Sequence, residues 1–386
     1  MNIGIFTDCY LPTKNGVATA IVQTKQELEH RGHRVVVFTV ASPGAGGQDD
    51  AVYRFPSLPF NASIEVRVGL ARQADVNRII ERERLDLIHT HTEFALGWAG
   101  KRAALRAKLP LLHTAHTLYE AYLHYLPLGR LWPHSTVQWA LARFLAGYDG
   151  LICPSAKMQT YVAAFMPSLR AVVIGNGVLR ESFDPERLTE ADRARTRTAL
   201  GLDPCDRVIL YVGRIAPEKR VMVLFDALRP LLAGCERYKA LFVGSGPAQE
   251  ELAKAVHRAG LGRQARLTGL VSWERMGELY AIAHAFATAS LSEVHPMTLI
   301  EAATCGLPIV ARRDDAFTDL VKDGYNGFLV DSDHAIAEKL SELLRDETQQ
   351  RAFTRNARTL SDQFTIEAHV DKLEALYRQV ITHAEE

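Results

Sequence analysis

The chain has 386 residues, of which 47% are hydrophobic and 23% charged, with 45 basic and 45 acidic side chains. That length suits two domains of ordinary size, and the composition excludes a disordered chain. The charge balance gives no reason to expect a nucleic-acid partner. No run approaches the roughly 18 apolar residues of a spanning helix, and Cys9, Cys153, Cys205, Cys235 and Cys305 are scattered without a CxxC pair. A reduced cytosolic protein with buried thiols is expected. MNIGIFTDCY enters a strand with no basic leader or cleavage site, so no secretory signal is expected.

In chain order, NIGIFTD, RVVVFTV, LDLIHTH, LPLLHTA and GLICPS read as strands. Between them lie helical patterns such as TAIVQTKQELEHRG, which ends at Gly32. The charged stretch from Glu186 to Leu202 interrupts the alternation and marks the neighbourhood of a join. A second series then begins with RVILYVGR, YKALFVGSG, ARLTGLV, AFATAS, LPIVARR and GFLVD. Short apolar strands alternating with amphipathic helices, twice over, predict two doubly wound parallel-sheet domains. Residues 1–170 carry a net charge of +5 and the remainder −5, so the first half is the better candidate for meeting an anionic surface. Ordinary surface variation accounts for such a difference equally well.

Several loops follow strands, where ligands of open α/β sheets bind. In YLPTKNGVATA, Gly16 precedes a helix and lets the backbone approach a phosphate. YVGRIAPEKR places Arg214 and Lys219 just past the strand that opens the second half. Two cations there suit a diphosphate leaving group, or else form an exposed salt bridge. GSGP, from Gly244 to Pro247, enters a helix but lacks the third glycine and the acid of a dinucleotide fingerprint. Glu293 and Glu301 have seven residues between them and flank a helix start, with Pro296 suited to the first helical position and Gly306 and Pro308 ending it. Glu293 accepts from sugar hydroxyls and Glu301 reaches a ribose, or the pair is a cap and a surface acid.

His89 and His91, two apart on one strand, face the same side, but no HExxH or cysteine pair accompanies them and no metal is expected. His116 at a strand end is a candidate for bonding substrate, or a satisfied core histidine. Asp331 and Asp333 are read as helix-capping residues in preference to a metal-bound DxD.

Together the Gly16 loop, GRIAPEK, VGSGP, the Glu293–Glu301 pair and DGYNGFLV resemble the retaining glycosyltransferases of family 4 over nearly the whole chain. The resemblance implies an α/β GT-B fold of two Rossmann-like domains facing across a cleft. An acceptor domain of residues 1–171 takes back a final helix at about 366–386, and a nucleotide-sugar domain spans 172–365. It further implies that Arg214 and Lys219 hold the donor diphosphate, Glu293 the transferred sugar and Glu301 the ribose. Gly244, Val271 and the N–H groups of Met297, Thr298 and Leu299 complete the nucleotide site. Gly16 and His116 come from the opposite lobe as the cleft closes. The chain departs from the family in having His295 and Pro296 where a small aromatic–glycine pair is usual.

TEFALG and HTLYEAYLHYLPLGRLWP are most similar to the bacterial diacylglycerol glucosyltransferases, although Ala121 stands where many of those have an acid. The resemblance implies transfer of a hexose from UDP-glucose to a lipid acceptor without cofactor or metal, at the inner face of the cell membrane. Retention by a front-face path is implied, with no evident nucleophile among the residues. Residues 118–148, rich in Tyr, Trp and Leu with Arg130 and Arg143, read either as an anionic-membrane surface or as an aromatic core. UDP-galactose, GDP-mannose or a soluble acceptor remain alternatives, as do a sugar-nucleotide epimerase and a non-catalytic sugar-nucleotide binder. A nicotinamide oxidoreductase is disfavoured for want of a fingerprint.

Overall fold

The structure, a computed structural model, describes residues 1–13, 15–44, 49–61, 66–125, 129 and 132–385. The chain divides into two compact units, one of Met1–Gly177 with the segment from Ile366 onward, the other of Val178–Thr365.

The first unit runs β1 (Asn2–Phe6), α1 (Gly16–His30), β2 (Arg34–Val40), β3 (Val52–Phe55), β4 (Ser57–Asn61), β5 (Val66–Gly69) and α2 (Gln73–Glu83). It continues through β6 (Leu87–Thr90), α3 (Ala95–Ala107), β7 (Leu111–Thr114), α4 (His134–Leu145), β8 (Gly150–Cys153), α5 (Ala156–Ala163) and β9 (Ala171–Val173). Seven strands pair in the order β3-β2-β1-β6-β7-β8-β9, all parallel, while β4 and β5 form a separate antiparallel hairpin. The inner strands β6, β7 and β8 are buried along their length because helices cover both faces of a parallel sheet. Phe6 of β1 stacks on Phe38 of β2 with centroids 4.1 Å apart, both buried, each contributing roughly 2–3 kcal/mol by leaving water.

The second unit holds α6 (Glu190–Ala199), β10 (Arg207–Val212), α7 (Val221–Gly234), β11 (Tyr238–Val243), α8 (Gln249–Arg258), β12 (Ala265–Gly269) and α9 (Trp273–Ile282). After these come β13 (Ala285–Thr288), α10 (Met297–Thr304), β14 (Ile309–Arg312), β15 (Gly327–Val330), α11 (Ala335–Arg345) and α12 (Glu347–Ser361). Its parallel sheet has the order β12-β11-β10-β13-β14-β15. The chain then returns as α13 (Ile366–Glu385) to the first unit, where Arg31 donates to Asp371 at 2.6 Å and the Tyr377 hydroxyl meets His89 Nδ1 at 2.7 Å.

All six strands read from the second half are present, as are five of the first sheet's seven. The strands not read, β3 and β9, lie at the sheet edges, where part-exposed residues break the apolar run. Because β9 pairs with β8, the first unit continues past residue 171 to Gly177. The charged stretch at 186–202 lies shortly past the join between Gly177 and Val178: α6 begins with a Thr189–Asp192 capping box and Arg193 donates to the Ala281 and Pro185 carbonyls, inside the second unit.

Candidate active site

In the second sheet, successive strands step outward from β10 on one side and from β13 on the other, so the loops leaving their carboxyl ends diverge. Such a switch point is where open α/β sheets hold ligands. The β10 loop carries Arg214 and Lys219, and the β13 loop carries Glu293.

Glycines set the first loop. A Cβ on Gly244, whose φ is +132°, would lie 2.0 Å from the Gly213 carbonyl oxygen, and one on Gly246 would lie 2.4 Å from that of Ile215. Without those side chains the β10 and β11 loops interlock, the N–H groups of Gly213 and Ile215 donating to Val243 and Ser245 at 3.0 and 2.9 Å. Gly244 therefore supports the strand of backbone that bears Arg214. The Tyr211 hydroxyl donates to the Arg214 carbonyl at 2.9 Å, and the Arg214 guanidinium lies 3.9 Å from the buried Glu218 carboxylate.

Lys219 closes a short 3-10 turn, and Arg220 follows at φ +52°. The Arg220 guanidinium donates to the Ala289 carbonyl at 3.2 Å and to Asp333 at 2.8 Å, tying the β10 loop to the end of β13. Lys219 Nζ donates to Glu293 Oε1 at 2.7 Å, and Ser290 Oγ donates to the same oxygen at 2.7 Å. Both ion-pair side chains are more than four-fifths buried, which strengthens the attraction relative to a surface pair. Ser292 Oγ donates to the Glu218 carbonyl at 3.0 Å, a second stitch between the loops.

Helix α10 starts beside this pair. Pro296 is its N-cap, with φ −73° and ψ 121°, and not its first helical residue. The reason is that residues before the first turn take extended ψ, and the Pro296 carbonyl already accepts from Leu299 N–H at 3.2 Å. That bond engages one of the three N–H groups expected to meet phosphate and leaves those of Met297 and Thr298 without an intrahelical acceptor. Glu301, one turn further on, is 6% exposed, and its Oε2 accepts from the Tyr280 hydroxyl at 2.7 Å. Burial pushes its pKa up to about 7, against the lowering effect of Tyr280. Val271 sits half-buried in the loop between β12 and α9, at the same carboxyl edge.

Asp331 and Asp333 do not cap. Arg313 donates to Asp331 at 2.6 Å and Arg220 to Asp333 at 2.8 Å, while the N-cap of α11 is His334, whose side chain makes no capping bond. Charge-assisted bonds to guanidinium groups outcompete a neutral helix N–H.

In the first unit the switch point lies between β1 and β6. Asp8, just past β1, accepts from Thr92 Oγ1 at 2.8 Å and from the Leu96 N–H at the start of α3, and burial raises its pKa to about 6. Gly16 is the exposed first residue of α1, with Asn15 as cap accepting from Ala18 N–H. His116 lies two residues beyond β7, half-buried, and its Nε2 meets His91 Nδ1 at 3.0 Å. His89 and His91 do face the same side, their rings 4.1 Å apart. His89 is occupied at both nitrogens, by the Tyr377 and Thr114 hydroxyls, and among the described residues no group of three or more His, Cys, Asp or Glu is arranged to hold a metal.

The family described as Glycosyltransferase Family 4 matches residues 14–181, and Glycosyl transferases group 1 matches residues 192–360. An alpha-monoglucosyldiacylglycerol synthase of Streptococcus pneumoniae is 31% identical over 345 residues, 89% of this chain and 78% of that one. The chain belongs to the family 4 glycosyltransferases. A protein of the same description from Acholeplasma laidlawii is 28% identical over 389 residues, spanning 99% of this glycosyltransferase and 98% of that relative. The crystal structure of Anabaena Alr3699/HepE in complex with UDP-glucose superimposes with a TM-score of 0.77, covering 98% and 99% of the two chains at 21% identity, and shows the same GT-B fold.

Sequence reasoning about this glycosyltransferase missed Ser290, Arg220, Tyr280 and the Asp8–Thr92 pair. Ser290 was the most accessible, standing three residues before Glu293 in a strand-end loop; the others act through contacts distant in sequence. Residues 118–148 divide between their two readings. Leu123, Val137 and Leu141 are buried against Tyr119, Tyr161 and Phe165, whereas Trp132 and Trp139 are 46% and 66% exposed. Trp139 and Arg143 line a shallow cavity of about 500 Å³ with Trp98 and Lys101. Arg130 lies outside the described residues. No described helix is long and apolar enough to cross a membrane.

Proposed function

We propose that this glycosyltransferase moves glucose from UDP-glucose to a diacylglycerol-type lipid, with retention of configuration and no metal. The observation that carries this reading is the Lys219–Glu293–Ser290 cluster beside the start of α10, at the switch point of the second unit. Arg214, Lys219 and the N–H groups of Met297 and Thr298 supply positive charge for a departing diphosphate, the task a divalent cation performs in other transferases. Glu293, positioned by Lys219 and Ser290 at its Oε1, is the carboxylate that receives a sugar hydroxyl. Glu301 lies at the ribose end, and releasing it from Tyr280 to meet a ribose hydroxyl exchanges one hydroxyl donor for another. His116 contributes a hydrogen bond to a substrate hydroxyl from the first unit. The glucose donor is supported by a UDP-glucose complex of the same fold, and the lipid acceptor by two relatives named for diacylglycerol.

The exposed Trp132 and Trp139, with Arg143, favour peripheral contact with an anionic bilayer at the cytoplasmic face. The test is UDP release from UDP-glucose, UDP-galactose and GDP-mannose, each with diacylglycerol in phosphatidylglycerol vesicles and with soluble acceptors, in chelator. The expected product is an α-glucosyl lipid formed only from UDP-glucose, undiminished by chelation. A β-linked product, release of a free epimerised sugar, or transfer restricted to soluble acceptors would each overturn the corresponding part.

A further inference from the structure

His91 is 6% exposed, anchored at the end of β6 by its backbone N–H donating to the Phe6 carbonyl at 2.8 Å. Its ring lies nearly parallel to that of His116, 5.3 Å away with 20° between the planes, and the two share a single hydrogen bond of 3.0 Å between Nδ1 of His91 and Nε2 of His116. His91 Nε2 is buried without a hydrogen-bond partner among the described residues. His116 Nδ1 makes no hydrogen bond among the described residues.

Burial, with His113 and His369 nearby, holds both rings uncharged, His91 well below the usual range, where His89 adds to the effect, and His116 down to about 3. Each ring then carries one proton, and only two arrangements keep the bond between them. If the His91 proton sits on Nε2, a buried N–H is left unsatisfied, the rarest kind of orphan in native proteins. If it sits on Nδ1, only a lone pair is left, and the N–H points at His116.

We infer that His91 is a positioning residue that locks His116 as the Nδ1–H tautomer, so that His116 meets a substrate hydroxyl as an uncharged donor. This rests on the reading above in which His116 touches substrate. It assigns His116 no part in taking the acceptor proton, since its one free nitrogen already bears hydrogen.

The experiment is long-range proton–nitrogen correlation of the full-length protein labelled at histidine, near neutral pH, with His116 assigned by its disappearance in His116→Ala. His91→Phe keeps a ring but removes the donor; His91→Asn places an amide N–H where Nδ1 stood. The inference expects an Nδ1–H His116 in the natural protein, a shift towards Nε2–H in His91→Phe, and its return in His91→Asn. In parallel, kcat falls about 10- to 100-fold in His91→Phe with little change in KM, and His91→Asn recovers most of it. An Nε2–H His116 in the natural protein overturns it, as does a His91→Phe enzyme that loses activity with the His116 tautomer unchanged. If His116→Ala transfers sugar at the natural rate, the role of His116 in the proposed function fails, while the spectra still decide the tautomer.

Discussion

Replacing Lys219 by Ala separates its two expected roles. In the structure its ammonium lies 2.7 Å from Glu293 Oε1, with the two side chains 17% and 16% exposed. Removing it leaves a largely buried carboxylate whose Oε1 still accepts from Ser290 Oγ. Breaking a fully buried pair costs about 3–5 kcal/mol, and the residual exposure of this one brings the expected loss of stability to about 2 kcal/mol. Glu293→Gln removes the charge that needs compensating, so the Lys219→Ala, Glu293→Gln double variant is expected to regain part of that loss. Turnover behaves differently. Lys219 also neutralises the leaving diphosphate, a contribution of about 2–4 kcal/mol, or roughly 30- to 1,000-fold in kcat. Glu293→Gln does not restore it. The assay is initial-rate UDP release at saturating donor, with urea denaturation of the same preparations. A Lys219→Ala enzyme that is destabilised yet turns over within about twofold of the natural rate would refute the leaving-group role. Full recovery of kcat in the double variant would refute it equally.

Glu301 makes the second unit sensitive to pH. Its folded pKa of about 7 stands above the ordinary 4.5, so the folded form holds the proton more tightly than the unfolded chain, and stability falls as pH rises from about 4.5 to about 7. The shift corresponds to about 3 kcal/mol, and Glu301→Gln is expected to flatten that part of the curve in urea denaturation at pH values on either side of the window; an unchanged slope counts against a buried Glu301. Gly244→Ala sets a Cβ 2.0 Å from the Gly213 oxygen at a φ of +132°, so a loss of roughly 2–3 kcal/mol in stability and a drop in kcat through the displaced Arg214 loop are expected, with normal values contradicting the interlock. Ser290→Ala deletes one of the donors to Glu293 Oε1 and is expected to lower kcat/KM about tenfold, at a cost of about 1.5 kcal/mol. Substituting Trp139 and Arg143 together by Ala is expected to reduce co-sedimentation with phosphatidylglycerol vesicles at low salt without altering UDP binding; equal sedimentation removes that surface from the membrane.

The inner strands were legible because a parallel sheet covered by helices demands unbroken apolar runs, as in RVILYV and RVVVFTV. The edges, β3 and β9, lack that demand and were not read. Within the site, residue types in strand-end loops pointed to Arg214, Lys219 and Glu293, and the structure joins Lys219 to Glu293 across 74 positions of sequence. Local pattern misjudged Pro296 by one position and assigned Asp331 and Asp333 to capping, because the guanidinium groups that claim those two acids come from Arg313 and Arg220, on other loops.

By itself the amino-acid order determined the two larger sheets, their parallel sense, the loops bearing charge and the family resemblance, since each follows from spacing along one segment; the β4–β5 hairpin was not among them. Only the tertiary structure decided which charges meet, that Glu301 is buried against Tyr280, that Gly244 serves a neighbouring loop, and that His91 stands behind His116. Those outcomes depend on the order in which strands assemble, which places carboxyl ends far apart in the chain within hydrogen-bond reach, and no local periodicity encodes that distance.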